Sequence, residues 1–418
     1  MPLPMENRVR VGDRGELELP EGWRGRWGLD AGAEFLIEET SSSLVLRRAD
    51  PVLTRVYVEP TAACNLTCRT CVRNSWDEPL GTMAMATYQR LIEGLRTVQS
   101  LRSVAFWGFG EPLLHPQIVE MVALAKGLGA KTELITNGLL LDSRIAEGLV
   151  EAGLDTLVVS VDGASPEAYS DTRLGADLCQ VQRNLSNLRA ARHKNPRHTP
   201  EIGLEFVAMR RNVGELPKLP RLATAMGASF IVVTNLLPYT EELKDEILYG
   251  LRAGTSYPGE RSKWTPEVIL PRMDVLGTAS TALAGLLRHM EVGGVQLRPW
   301  NRSPGYCRFV GEGSVAIAWD GGLSPCVALT HSYPCYVMGR RKLIRRWTLG
   351  NIAEQGIAEL WQSEPYVQFR ARVQRFDFAP CTDCGGCYMA DSNEEDCYGN
   401  PFPVCGDCLW AKGVIQCP

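Results

Sequence analysis

At 418 residues the chain is too long for one ordinary domain, so two or three domains are expected, and its 45% hydrophobic and 22% charged residues are those of a soluble globular protein. A net charge of −4 excludes the basic footprint that nucleic-acid binding calls for, and no apolar run approaches the ~20 residues that span a bilayer. The start Met1-Pro2-Leu3-Pro4-Met5-Glu6 has neither the basic nor the apolar stretch of a leader, and the 14 cysteines fall mostly in CxxC pairs. A cytoplasmic, reducing setting with thiols serving metals is therefore expected.

Residues 1–50 read as a small β-rich unit. Arg8-Val9-Arg10-Val11 and Glu16-Leu17-Glu18-Leu19 alternate polar and apolar residues about Gly12-Asp13-Arg14-Gly15, which predicts a hairpin. Pro20 opens a short helix carrying Trp23 and Trp27, and Phe35-Leu36-Ile37 and Leu44-Val45-Leu46 supply two more strands. This order resembles a SpoVT/AbrB-like swapped-hairpin domain, a kind that usually dimerises and often binds DNA. Residues 6–50 hold seven Arg against ten Asp or Glu, which opposes a phosphate backbone. Docking or homodimerisation is the expected role, with a β cap that meets no partner as the alternative.

Residues 51–238 alternate short apolar runs with helical stretches, the pattern of a parallel α/β sheet. Strands are expected to end near Glu59, Gly108, Thr136, Val161, Met209 and Asn235, with helices over 88–98, from Pro116 to the glycines 127 and 129, and from the cap Ser165 with Pro166. Six β/α units predict an open barrel, with chemistry at the C-terminal ends of its strands. After the first strand comes Cys64-Asn65-Leu66-Thr67-Cys68-Arg69-Thr70-Cys71. Three thiolates in eight residues suit one corner of an iron–sulfur cube and leave one iron open, whereas a structural zinc wants four ligands. After the second strand comes Trp107-Gly108-Phe109-Gly110-Glu111-Pro112, where glycine permits close backbone approach and Glu111 can accept from an ammonium. The third strand ends in Thr136-Asn137-Gly138 and the fourth in Ser160-Val161-Asp162-Gly163, with Asp171-Thr172-Arg173 a helical turn later. Asn137 is either a ligand group or a turn residue, and Asp162 either a ligand group or a helix cap. Met209 is expected in the wall, and Cys179 in the core.

The CxxxCxxC segment resembles the signature of the radical S-adenosylmethionine (radical SAM) enzymes. The resemblance implies a 4Fe-4S cluster on Cys64, Cys68 and Cys71 whose open iron is chelated by SAM, which is then cleaved to methionine and a 5′-deoxyadenosyl radical. It further implies that Gly110, Glu111 and Pro112 face the SAM amino group, while Thr136, Asn137, Ser160, Asp162 and Arg173 stand where the family holds the SAM carboxylate and ribose. Two departures stand out: Thr70 replaces a frequent aromatic before the third Cys, and Phe109 replaces the first Gly of GGEP.

Residues 239–300 are expected to leave the strand pattern, with a charged helix over 241–252 and another over 273–289, as an insertion that either shapes the substrate entrance or is a spacer. Residues 301–418 are cysteine-rich. Cys307 is followed by thirteen residues, Gly321, four residues and Cys326; then come Cys381, Cys384, Cys387, Cys397, Cys405, Cys408 and Cys417. The opening resembles a SPASM domain, which implies two auxiliary 4Fe-4S clusters; nine thiols are available for the eight required, with Cys335 set aside. Zinc ribbons are the alternative, since CxxC pairs suit zinc equally well.

The resemblance thus implies an α/β protein: a partial (β/α)6 radical SAM barrel, a small N-terminal β domain and a SPASM-like tail. The cap, the segment from Phe109 through Pro116 and the ending from Cys405 through Ala411 look most like radical SAM maturases associated with tungsten-cofactor oxidoreductases. That implies as substrate either the oxidoreductase polypeptide or a metal-pterin precursor, and a reductase, ferredoxin or flavodoxin as electron donor. A peptide-crosslinking enzyme acting on a ribosomal precursor uses the same machinery, and a DNA-binding iron–sulfur redox sensor would use the cap and clusters without turning SAM over.

Overall fold

The computed structural model describes residues 10–14, 16–18, 35–39, 44–48, 51–249, 267–271, 273, 279–293, 296–299, 305–381 and 387–416. In the N-terminal part β1 (Arg10–Val11) pairs antiparallel with β2 (Leu17–Glu18), and β3 (Phe35–Glu39) with β4 (Leu44–Arg48). The helix expected from Pro20 lies outside the described residues.

The six expected strands form in order: β5 (Arg55–Val58), β6 (Ser103–Phe106), β7 (Lys131–Thr136), β8 (Thr156–Ser160), β9 (Glu201–Ala208) and β10 (Phe230–Asn235). Each is parallel to its sequence neighbour, and their runs of Val, Leu, Ile and Phe are buried because helices cover the sheet. Helix α1 (Met85–Leu95) shows how they dock: Tyr88, Leu91, Ile92 and Leu95 recur at helical spacing and are buried, and the Tyr88 hydroxyl donates to Met121 O at 2.7 Å. Helices α2 (Ile118–Lys126), α3 (Ser143–Glu151) and α4 (Pro166–Thr172) follow, the last with Ser165 accepting from Ala168 N. On α5 (Leu178–Lys194) Cys179 is exposed, which corrects the core expectation: it follows the cap Asp177 on the outer side of the first turn.

Among the described residues of 239–300 the strand pattern continues, contrary to expectation. β11 (Glu267–Leu270) pairs parallel with β10, and β12 (Gln296–Pro299) parallel with β11, with helix α6 (Ser280–Gly293) between them. Two four-residue strands, one of them reading Gln-Leu-Arg-Pro, carry too little periodicity to register in sequence. Of the charged helix expected over 241–252, the described residues 241–249 form one 3-10 turn, Glu241–Leu243, and the rest of the range lies outside them.

The tail joins the other edge. β13 (Ser314–Ile317) pairs parallel with β5, β14 (Gly322–Ser324) antiparallel with β13, and β17 (Gly350–Asn351) antiparallel with β14, while β15 (Tyr333–Val337) and β16 (Arg340–Ile344) form a separate hairpin. One sheet of eleven strands therefore runs through the barrel and into the cysteine-rich region. Among the described residues no helix is long and apolar enough to cross a membrane.

Candidate functional site

The loop after β5 is held in place largely through its backbone. Ala62 N donates to Gly81 O and the Thr61 hydroxyl to Gly81 O, both within 3 Å. Arg73 donates to Leu66 O at 2.6 Å and Asn74 to Cys68 O at 2.7 Å, while Arg69 N reaches Thr172 O at 2.9 Å. These bonds turn Cys64, Cys68 and Cys71 into one cavity of about 250 Å³. Burial pushes the Cys64 thiol up, and it pushes Cys68 up to about 11 against the opposing pull of Arg173.

Gly110 meets this loop backbone to backbone. A Cβ placed there would lie 2.0 Å from Thr61 O and 2.6 Å from Ala63 O, so only glycine fits. Next to it, Glu111 N donates to Ala63 O at 2.8 Å. The buried Glu111 carboxylate accepts from Leu113 N (3.0 Å), the Thr136 hydroxyl (2.6 Å) and Asn137 N (2.8 Å). Three of its roughly four acceptor sites are thus taken by the protein, and its chief work is to tie β6 to the end of β7. Desolvation raises its pKa, and those three donors oppose the rise.

Asn137 is both a turn residue and part of the site. Its Oδ1 accepts from Leu139 N at 3.0 Å, while Nδ2 donates to Asn65 Oδ1 at 2.8 Å beside the Cys64 sulfur. Asp162 is not a helix cap. Fully buried, it accepts from Val207 N at 3.0 Å and pairs with Arg173 at 2.9 Å. Burial alone would lower the Arg173 pKa, but Asp162 and then Cys68 outweigh it and hold the guanidinium charged. Arg173 lines the cavity, and its Nε has no hydrogen-bond partner among the described residues. Gly110, Glu111, Thr136, Asn137, Ser160 and Arg173 line the cavity with the three cysteines; Pro112 and Asp162 stand behind it, the buried Pro112 opening the 3-10 turn Pro112–Leu114.

Glu205 also lines this cavity, and sequence reasoning passed over it. Register places it opposite Ser160, whose hydroxyl donates to it at 3.0 Å. An acid inside the apolar run Leu204-Glu205-Phe206-Val207 was the available signal. Burial raises its pKa to about 7. Because the folded value lies above the ordinary one of 4.5, stability is lost as pH rises between them. Glu205→Gln is therefore expected to be stabilising relative to the parent by about 2 kcal/mol at pH 8 and by much less at pH 5, measured as unfolding midpoints at both pH values.

A buried staple fastens the tail to the barrel. His331 contacts Glu59 at 2.7 Å and Glu78 at 2.6 Å, and Glu59 also accepts from Phe109 N and Trp319 N. Trp76 lies against the imidazole at 4.5 Å between ring centroids. Burial would lower the His331 pKa, but the two carboxylates raise it to about 9. The stabilisation is complete below the ordinary value of 6.5 and is lost as pH climbs through about 9. His331→Gln is expected to cost about 3 kcal/mol at pH 6, with the difference from the parent shrinking by pH 10 in denaturant titrations.

A second set of thiols converges in the tail. Cys307, Cys326, Cys405 and Cys408 are half-buried and close enough to act on one another: desolvation first, and neighbouring thiols second, hold Cys326 and Cys405 well above the usual thiol range. Backbone N–H groups of the turn that follows lower the pKa of three of them: Phe309 and Val310 act on Cys307, Ala328 and Leu329 on Cys326, Trp410 and Ala411 on Cys408. Thiols that burial holds protonated ionise readily around a metal centre, and four such thiols lie near one another here. Cys335 stands apart, buried beside Lys342 and Asp407. Cys381 is half-buried, Cys387 and Cys397 are exposed, and Cys384 and Cys417 lie outside the described residues.

Comparison with known proteins agrees with this geometry. The radical SAM superfamily model matches residues 58–204, and the SPASM iron–sulfur cluster-binding domain model matches residues 307–388. The tungsten-containing aldehyde ferredoxin oxidoreductase cofactor-modifying protein of Pyrococcus furiosus is 30% identical over 367 residues, covering 87% of this chain and 96% of that one. Among solved structures, Streptococcus suis SuiB bound to precursor peptide SuiA superposes with a TM-score of 0.54 at 14% identity, covering 81% of this chain and 72% of that one. Native anSMEcpe with bound AdoMet gives 0.54 at 18% identity, covering 82% and 92%. These two likenesses establish the fold. Three loop thiols on an open parallel barrel, a SPASM tail and a relative matched over nearly its whole length identify the chain as a radical SAM enzyme of the SPASM-bearing branch, with 4Fe-4S clusters and SAM as its cofactors.

Proposed function

We propose that this enzyme matures a tungsten-containing oxidoreductase, modifying either its polypeptide or the precursor of its metal-pterin cofactor. The observation that carries the chemistry is one cavity lined by Cys64, Cys68, Cys71 and Arg173 together. The likeness to the cofactor-modifying protein, over almost the whole of both chains, supports the substrate.

A cluster on the three loop thiolates supplies, when bound, the electron that splits SAM into methionine and the 5′-deoxyadenosyl radical. The protein's share is placement, which gives a reactive radical both rate and selectivity. Arg173, held charged and in place by Asp162, faces the SAM carboxylate from the cavity wall. Gly110 lets the backbone reach the amino group, and the remaining acceptor site of Glu111 receives an ammonium proton. Thr136 and Asn137 hold the loop against β7, Ser160 and Glu205 face the ribose side, and Pro112 keeps the 3-10 turn closed. Cys307, Cys326, Cys405 and Cys408 hold one auxiliary cluster, leaving Cys381, Cys384, Cys387, Cys397 and Cys417 for a second. The enzyme works in the cytoplasm, takes electrons from a ferredoxin, flavodoxin or reductase, and uses its acidic N-terminal unit to dock or dimerise.

Protein reconstituted without oxygen and given dithionite and SAM is expected to release 5′-deoxyadenosine and to hold about twelve iron atoms per chain. Iron-replete protein that leaves SAM intact would remove the enzyme reading; a count near four iron with stoichiometric zinc would replace the auxiliary clusters by ribbons. Comparing the masses of the oxidoreductase and its cofactor made with and without this protein tests the substrate. The fold shared with SuiB, solved with a precursor peptide, favours peptide modification as the second reading, and the partner that co-purifies distinguishes the two.

A further inference from the structure

The chain beyond Cys408 does not run off into solvent. Trp410, Ile415 and Gln416 line the same cavity as the three loop cysteines. Leu409, Val414 and Ile415 are buried, and the turn closes on itself through Val414 N to Leu409 O at 2.9 Å. The far end of the segment is pinned on the last residues of β10: Asn235 Nδ2 donates to Val414 O at 2.8 Å, Gln416 N to the Thr234 hydroxyl at 3.0 Å, and the Gln416 side chain to Val233 O. The near end adjoins the auxiliary thiols. Cys408 immediately precedes the segment, and Gly305 N, two residues before Cys307, donates to Ala411 O at 3.1 Å. Trp410 and Leu237 line both the reaction cavity and the smaller cavity at Cys326, Cys405 and Cys408, so they partition the two.

We propose that residues 409–416 form the substrate-side wall of the reaction cavity, with Trp410 and Gln416 determining what enters, and that the metal centre on Cys307, Cys326, Cys405 and Cys408 clamps this wall in place. The proposal rests on the radical SAM reading of the cavity. A centre that joins three distant stretches of chain fixes the root of the segment, while β10 fixes its tip. Losing either attachment lets the wall swing out, and the cavity then admits water and wrong substrates.

Two kinds of variant of the full chain, reconstituted without oxygen, test it. Asn235→Ala, Gln416→Ala and Cys417→Ser together remove the pins at the tip, the terminal thiol included, and leave the four root thiols intact; Cys405→Ser with Cys408→Ser removes the root. Carboxypeptidase release of the C-terminal residues reports how often the wall is open. The tip variant is expected to speed release about twentyfold or more, the factor that two lost hydrogen bonds are worth, with circular dichroism unchanged. Binding of SAM alone, read by the spectral change of the loop cluster, is expected to persist, and SAM cleavage without substrate is expected to rise. The root variant is expected to lose about four iron atoms and to release the tail as fast as the tip variant. Release at the parental rate in the tip variant overturns the wall. Parental release in a folded root variant that has lost its iron overturns the clamp. Parent protein that never cleaves SAM would sink the radical SAM reading instead, while the release rates still report on the segment.

Discussion

Cys64→Ala is expected to abolish 5′-deoxyadenosine release while leaving the fold and the auxiliary iron in place. The loop supplies three thiols to its cavity, and with one gone two remain, too few to hold a cube against loss of iron. The alanine itself costs little stability, because the loop is anchored through Thr61, Ala62, Arg69, Arg73 and Asn74 rather than through the Cys64 sulfur, whose one backbone partner is Leu66 N at a long 3.5 Å. The expected signature is a drop of about four iron atoms per chain, retention of about eight, and an unfolding midpoint near that of the parent. Anaerobic iron analysis, product assay and denaturant titration on one preparation provide the check. An iron-replete variant that still cleaves SAM would show that the open iron lies elsewhere.

Gly110→Ala is expected to be the most damaging single methyl group in the barrel. The added Cβ would sit 2.0 Å from Thr61 O, 2.6 Å from Ala63 O and 2.8 Å from the Ala62 carbonyl carbon, all backbone atoms with no rotamer to yield. Relief requires the start of the cysteine loop to move away from β6, which also breaks the Glu111 N to Ala63 O bond and withdraws Glu111 from Thr136 and Asn137. Overpacking plus those lost bonds is expected to cost about 3 kcal/mol or more, together with loss of the loop cluster. Gly214→Ala is the control, since a Cβ there meets nothing within 4 Å. Denaturant midpoints and iron content of the two variants check this, and a Gly110→Ala protein as stable and iron-rich as the control would refute the close approach.

Much of the site was legible because it is written locally. The cysteine triad, Gly110-Glu111, Thr136-Asn137 and Ser160 each follow a strand whose apolar run announces it, and parallel order then brings strand ends together without further information. Short elements were less legible: Glu267–Leu270 and Gln296–Pro299 are too brief to show a period, and they became strands because β10 offered an open edge. The Glu111 side chain was legible as an acceptor, but its three protein donors were not, since Leu113, Thr136 and Asn137 reach it from two different loops.

Spacing by itself determined the three-thiol loop, the order of the barrel strands and the presence of a second, cysteine-rich metal region, because each depends on residues within a few positions of one another. Only tertiary structure decided that Cys307 and Cys326 lie near Cys405 and Cys408, that Glu59 and Glu78 enclose His331, and that a segment 179 residues from Asn235 lines the cavity. Such groupings are set by sheet register and by which buried surfaces meet, and contacts between residues so far apart in the chain leave no local pattern from which they could be read.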